Sequence, residues 1–215
     1  MTRVFDCGQP DRRRRGIGAA ADAIAGGRLV VLPTDTVYGL GADAFTPEAV
    51  AGVLRAKGRD RDMPVPVLVG SWSGIDGLMT TVPDPVRALV RAFWPGGLTL
   101  VVQHAPTLAW DLGDAQGTVA VRMPLHPVAL ELLERTGPLA VSSANRSGEP
   151  PATTIAQARE QLGDAVQVYL DAGPTAAAVA STIVDATVSP PRLLRRGAVG
   201  LAELRDVVPD IEEIP

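Results

Sequence analysis

Cysteine, histidine and aromatic side chains are scarce in this chain, and each scarcity excludes something. Cys7 is the single cysteine, so no disulfide can form within the chain. That fits a reducing, cytoplasmic compartment. The two histidines, His104 and His126, come with no Cys-x-x-Cys or His-Glu-x-x-His pattern. No protein-held metal site is expected from them. Aromatic residues make up 4% of the chain, so the core must be built from Val, Leu, Ile and Ala. No apolar run approaches the ~18 residues of a membrane-spanning helix. The polar N-terminus lacks the apolar stretch of a signal peptide. The two best-known phosphate loops are also missing. There is no Gly-x-x-x-x-Gly-Lys-Ser/Thr, and no Gly-x-Gly-x-x-Gly after a strand. Nor is there a Gly-x-Ser-x-Gly elbow, since the run is Ala140-Val141-Ser142-Ser143-Ala144. A serine hydrolase is excluded on pattern.

What remains is an ordinary globular composition: 215 residues, 46% hydrophobic and 20% charged. That length suits one domain with a sizeable core, taken here as residues 1–215. A net charge of −4 argues against a generic polyanion binder but leaves room for a local basic cleft. Asp11-Arg12-Arg13-Arg14-Arg15 is the one basic run. It reads as a solvated helical turn, with weak contact to RNA as the other reading.

Helical and extended patterns alternate along the chain. Ile17–Ile24 is Ala-rich and helical, ended by Gly26-Gly27. Thr46-Pro47-Glu48 opens a helix to about Lys57, with threonine as cap and glutamate at the positive end of the dipole. Further helices are expected over 85–94, 127–135, 154–162 and 201–207. Strands are expected over 28–32, 65–69, 98–102, 118–123, 139–142, 166–170, 181–186 and 192–195. About seven strands interleaved with helices predict an α/β fold, a mixed sheet covered on both faces.

Polar residues gather at the strand ends, where α/β proteins hold ligands. Pro33-Thr34-Asp35-Thr36-Val37-Tyr38-Gly39-Leu40-Gly41 follows an apolar strand. Lys57-Gly58-Arg59 closes a helix just before another strand, where two cations can face phosphate. Ser142-Ser143-Ala144-Asn145-Arg146-Ser147-Gly148 follows a buried strand. Each cluster alone is also ordinary turn or helix-end chemistry. Arg122 stands alone in the apolar strand Thr118–Met123, where an unpaired charge is costly. It requires a partner or a ligand.

In their joint order these pieces resemble the YrdC family of threonylcarbamoyl-AMP synthases. The resemblance runs from about Ile24 to Val199. It rests on Leu32-Pro33-Thr34-Asp35-Thr36-Val37-Tyr38-Gly39-Leu40-Gly41, Lys57-x-Arg59, Phe93-Trp94-Pro95-Gly96-Gly97-Leu98-Thr99, Val119-Ala120-Val121-Arg122-Met123-Pro124, Ser143-x-Asn145 and Ser181-Thr182-Ile183. It implies a twisted mixed sheet with a concave basic cleft that holds L-threonine and ATP together. By motif, Thr36, Arg122 and Ser181 hold threonine, with Arg122 on its carboxylate. Arg59, Thr118, Ser143, Asn145 and Arg195 line the ATP side, with Lys57 nearby. Lys57 and Arg59 are the electrostatic candidates for catalysis. Three positions depart from the family. Asp60 replaces a common proline. Met63 stands where asparagine is frequent, so a nucleotide contact there falls to backbone. Leu68 stands where some members place a histidine near threonine, and it offers only apolar wall.

The implied reaction joins L-threonine, bicarbonate-derived CO2 and ATP into threonylcarbamoyl-AMP and pyrophosphate, with Mg2+ entering on the triphosphate. The implied partner is a downstream tRNA threonylcarbamoyl transferase. Two alternatives stand beside it: a carbamoyl-adenylate enzyme with another acceptor, and a non-catalytic RNA-binding module.

Overall fold

A computed structural model describes residues 1–175 and 179–213. The chain runs β1 (Arg3–Asp6), α1 (Pro10–Ala25), β2 (Val30–Leu32), β3 (Gly39–Asp43), α2 (Pro47–Lys57), β4 (Val67–Leu68), α3 (Ser73–Leu78), α4 (Asp84–Phe93) and β5 (Leu98–Gln103). It continues through β6 (Thr118–Arg122), α5 (Pro127–Thr136), β7 (Leu139–Ser143), α6 (Ile155–Leu162), a short 3-10 turn, β8 (Val168–Asp171), β9 (Thr182–Asp185), β10 (Arg192–Arg195), α7 (Leu201–Val207) and β11 (Glu212–Glu213). No helix among the described residues is long and apolar enough to cross a membrane.

All the strands join one mixed sheet, in the order β1-β8-β2-β3-β7-β4-β6-β5-β9-β10-β11. The 11 strands among the described residues exceed the eight ranges that read as strand in the sequence, because three of them carry weak signals. β1 is a mostly exposed edge strand without apolar alternation. β11 is two glutamates. β3 reads as a turn because it is glycine-rich, yet its register against β2 and β7 is continuous. A Cβ on Gly39 would meet Val141 Cγ1 at 2.6 Å, so the glycine serves close packing on the neighbouring strand. α3 carries a weak helical signal too, being six residues long with two glycines.

The period of two divides the core between the faces. Val30 and Leu32 of β2 pack with α1 and α5, as do Leu139 and Val141 of β7. Val31, Ala140 and Tyr169 turn to the opposite face, against α2, α4, α6 and α7. Along β5 and β6 the second face takes Leu98, Leu100, Val102, Val119 and Val121. Their alternates, Thr99, Val101, Ala120 and Arg122, line a cavity instead. α1 and α5 cover only one half of that sheet face, and the cleft is the other half.

Local signals explain the helix ends. Gly58 terminates α2 in the left-handed region at φ 62°. Thr154 and Gln157 form a capping box on α6. Thr46 differs from expectation: its hydroxyl donates to Asp43 Oδ2 at 2.6 Å rather than capping an amide of α2. Of the basic run in α1, Arg13 pairs with Glu131 of α5 at 3.0 Å, while Arg12, Arg14 and Arg15 are exposed.

Gly197 shows how tightly the cleft edge is assembled. A Cβ there would collide with the backbone of Ala180, Ser181 and Thr182. Gly197→Ala should therefore cost about 1–3 kcal/mol through forced backbone movement. For a chain of this size each kcal/mol lowers Tm by roughly 2–4 °C. Calorimetric scanning checks it, and an unchanged Tm would show that the segment yields freely.

Candidate active site

The cleft encloses about 350 Å³. Among the described residues its cations are Arg59, Arg122 and Arg195, and no carboxylate, histidine or lysine lines it. Thr36, Leu68, Ser143 and Ser181 line it as well. The sheet thus gathers residues from six separate sequence motifs into one hollow.

Arg122 ends β6 with its side chain almost fully buried. Nε donates to Gly96 O at 2.8 Å, Nη1 to Thr36 Oγ1 at 2.8 Å, and Nη2 to Asp35 Oδ1 at 2.6 Å. Three of five N–H groups are thereby committed, which leaves two for a carboxylate. Burial lowers its pKa, and Asp35 opposes that shift. The requirement that a lone arginine in an apolar strand find a partner is met by Asp35, the carboxylate of the Pro-Thr-Asp-Thr loop.

Donor bookkeeping fixes what the hydroxyls offer. Thr34 Oγ1 donates to Val37 O at 2.7 Å, spending its one proton. Thr36 must then be the donor in the 3.0 Å Thr34–Thr36 contact. Thr36 also accepts from Arg122, so only a lone pair is left for a ligand. On the other wall, Ser181 Oγ accepts from Arg195 Nη2 at 3.0 Å and lies 2.8 Å from Thr99 Oγ1. Whichever hydroxyl donates in that pair, one proton stays uncommitted. The cleft therefore offers an acceptor at Thr36 and a hydroxyl donor at Thr99–Ser181.

Arg195 also donates through Nε and Nη2 to Ser181 O, at 3.0 and 2.7 Å. Burial lowers the pKa of both Arg195 and Arg59. Arg59 Nε is buried with no hydrogen-bond partner. An orphaned cationic donor beside a cavity is the signature of a site that receives an anion.

Lys57 and Asn145 do not line the cleft. Lys57 is 1% exposed, and its ammonium donates to Ser143 O and, at 2.8 Å, to Asn145 O. Weaker contacts reach Asn145 Oδ1 at 3.3 Å and Ser143 Oγ at 3.4 Å. Burial, aided by the Arg59 charge, pulls its pKa down to about 7. Asn145 Nδ2 donates to Arg146 O and Glu149 O, both at 2.8 Å. The two motifs Lys57-x-Arg59 and Ser143-x-Asn145 thus knot together behind the cleft wall and present Arg59 and Ser143 in front.

Thr118 and Met63 also lie elsewhere. Met63 is exposed and lines neither hollow. Thr118 lines a second, mostly apolar hollow of about 200 Å³, with Pro64, Val65, Leu112, Ala115 and Val119. It adjoins the cleft through Pro64, Val101 and Ala120. Arg61 ties down the segment that carries Leu112 and Ala115 by a bidentate pair with Asp111, at 2.7 and 3.0 Å, and a 3.3 Å contact to Asp114. Among the described residues no group of three or more His, Cys, Asp or Glu side chains could hold a metal.

Thr34, Asp35 and Thr99 were not named as site residues from the sequence. The signals existed: Thr99 is the polar alternate in Leu98-Thr99-Leu100, and Asp35 is the carboxylate inside the first motif.

The family profile of Sua5, YciO and YrdC, described as "Telomere recombination", matches residues 22–197. The chain belongs to that family. A Mycobacterium leprae protein with a provisional threonylcarbamoyl-AMP synthase name is 64% identical over 208 residues, covering 97% of this chain and 94% of its own. The Bacillus subtilis threonylcarbamoyl-AMP synthase is 37% identical over 194 residues, spanning 89% of this chain but 56% of its own. The crystal structure of Pyrococcus abyssi Sua5 complexed with L-threonine superimposes with a TM-score of 0.92 at 36% identity. It covers 100% of this chain and 63% of the Pyrococcus chain. The mixed α/β sheet with helices on both faces is the family's architecture.

Lys57→Met tests the knot. It strips donors from two carbonyls, Ser143 O and Asn145 O, at about 1–3 kcal/mol for each buried group left unpaired. Denaturant melting should show that loss, and hydrogen exchange should rise in 143–149. Unchanged protection there would mean the ammonium does not hold the loop.

Proposed function

We propose that this chain forms threonylcarbamoyl-AMP and pyrophosphate from L-threonine, bicarbonate-derived CO2 and ATP. The carrying observation is the cleft lined by three arginines and no carboxylate, with Arg59 Nε buried and unpartnered. Such a hollow suits two anionic ligands held side by side. Family membership supports the same reading.

The threonine carboxylate takes the two uncommitted N–H groups of Arg122. Its nitrogen faces the acceptor Thr36, its hydroxyl oxygen faces the Thr99–Ser181 donor, and Leu68 walls the methyl. Arg59, Arg195 and Ser143 face the phosphates. The apolar hollow at Thr118 takes the adenine, with backbone near Met63 at its edge. Lys57 and Asn145 act behind the wall by holding Ser143 and Arg59 in place.

The threonine amine adds to CO2 and loses a proton to solvent, giving a carbamate. A carbamate oxygen attacks the α-phosphorus, the bond to the bridging oxygen breaks, and pyrophosphate leaves. Among the described residues no lining side chain suits a general base, so the protein contributes positioning and stabilisation of developing phosphate charge. Mg2+ would enter on the triphosphate, held by phosphate oxygens and water, and would neutralise charge there. The product is a mixed anhydride that a cytoplasmic tRNA threonylcarbamoyl transferase would consume, at the adenosine beside the anticodon. Direct contact with tRNA, through exposed Arg12, Arg14 and Arg15, would be weak and salt-sensitive.

Incubation with threonine, bicarbonate and ATP should release pyrophosphate and yield the adenylate by mass spectrometry. Neither an RNA-binding module nor an enzyme with another acceptor does both. Arg59→Ala should nearly abolish the product in a folded protein, since one charge-assisted contact is worth about 1.5–3 kcal/mol in binding and more in the transition state. Near-normal turnover would overturn the assignment. Arg122→Leu should weaken threonine far more than ATP; equal losses in calorimetry would refute the division of the cleft.

Side-chain selectivity gives an independent check. A pocket that pairs a hydroxyl penalises its absence more than the loss of a methyl. Serine should be a poor but detectable substrate, with valine and 2-aminobutyrate much worse in kcat/KM. Valine matching serine would mean that the Thr99–Ser181 wall does not read the hydroxyl.

A further inference from the structure

The three cleft arginines differ in one respect. Arg122 has a carboxylate at 2.6 Å, with side chains 7% and 18% exposed for Arg122 and Asp35. Asp35 Oδ1 is itself fixed by the Leu125 backbone N–H at 2.8 Å. Among the described residues, no carboxylate lies within ion-pair distance of Arg59 or Arg195. Asp62 acts on Arg59 only from further away. Asp35 does not line the cleft, so it stands behind Arg122 rather than in the ligand space.

The consequence is electrostatic. Arg122 with Asp35 is a neutral unit that still exposes two N–H donors. A singly charged carboxylate binds such a unit through its fork of hydrogen bonds. A polyphosphate gains little there, because the carboxylate behind the guanidinium repels it, and like-charge juxtaposition is a strong discriminator. Arg59 and Arg195 keep their full attraction for phosphate. Both ligands of the proposed reaction are anions in one small cleft, and each must be kept out of the other's place.

We propose that Asp35 is a specificity-determining residue that sorts the two anionic substrates. By neutralising Arg122 it reserves that guanidinium for the amino-acid carboxylate and leaves polyphosphate to Arg59 and Arg195. The proposal rests on the reading that an amino acid and ATP share this cleft.

Asp35→Asn removes the charge and keeps an oxygen that can accept from Leu125 and Arg122. The probes are L-threonine and inorganic pyrophosphate, titrated calorimetrically without turnover. In the wild type, saturating pyrophosphate should change the threonine Kd less than about twofold, since the two sites are separate. In Asp35→Asn, pyrophosphate should reach Arg122 and raise the threonine Kd about tenfold or more, the scale of one charge-assisted contact. Pyrophosphate titrated alone should show one site in the wild type and a second in the variant. Competition already present in the wild type would overturn the proposal, and that arm needs no folded variant. A folded variant with neither competition nor a second site would overturn it too. A wild type that binds no threonine counts against the proposed activity instead, and the site count for pyrophosphate then still decides the sorting.

Discussion

A single buried ammonium joins the two halves of the cleft wall. Lys57 ends α2, and Ser143 ends β7, 86 residues later in the chain. No carboxylate lies within ion-pair distance of Lys57 among the described residues; carbonyl oxygens of Ser143 and Asn145 take its protons instead. The reverse strut runs from Ser147 N to Lys57 O at 2.7 Å. Arg59 and Ser143 reach the cleft because this knot fixes the turn on which each sits. A buried polar network of this kind is useful only when nearly every member is satisfied, and beside it Arg59, which lines the cleft, has a buried Nε without a partner.

The rest of the site follows from incomplete coverage of the sheet. α1 and α5 bury the face of β8, β2 and β7, where alternation is apolar on both sides. Over β5, β6 and β9 no helix follows, and the alternates become Thr99, Arg122 and Ile183. A strand that is apolar on one face and mixed on the other lies at the boundary between core and site. That is why Arg122 looks anomalous in a strand otherwise fit for a core.

This also explains how much of the site was legible in the sequence. Arg122, Ser143 and Arg195 end strands, Ser181 immediately precedes β9 and Arg59 follows α2, and such element ends are readable from apolar runs and their breaks. Asp35 and Thr99 were missed because their importance is relational: one neutralises Arg122 and the other shares a proton with Ser181. Lys57 and Asn145 are the complementary case. They belong to motifs that mark the site, but their side chains are spent on the protein. A motif records which residues the site requires without saying which of them face the ligand. In the fold, β3 escaped notice for a related reason. Gly39 and Gly41 look like turn residues, and only contact with Val141 and Leu32 shows them to be packed strand.

The choice of cation is the last step. Lys57 is the only lysine in the sequence; every other one of the 20 basic residues is arginine. Burial drives the pKa of Lys57 down to about 7, so a lysine in this wall holds its charge less firmly than an exposed one. That suits a strut, because a neutral amine still donates to carbonyl oxygens. It would not suit a phosphate contact, which needs a full charge at every pH the enzyme meets. Burial also pushes Arg59, Arg122 and Arg195 downward. A guanidinium starts so high that it stays charged after such a push. The cleft thus uses arginine wherever charge must persist against burial, and lysine only where hydrogen-bond donors are enough.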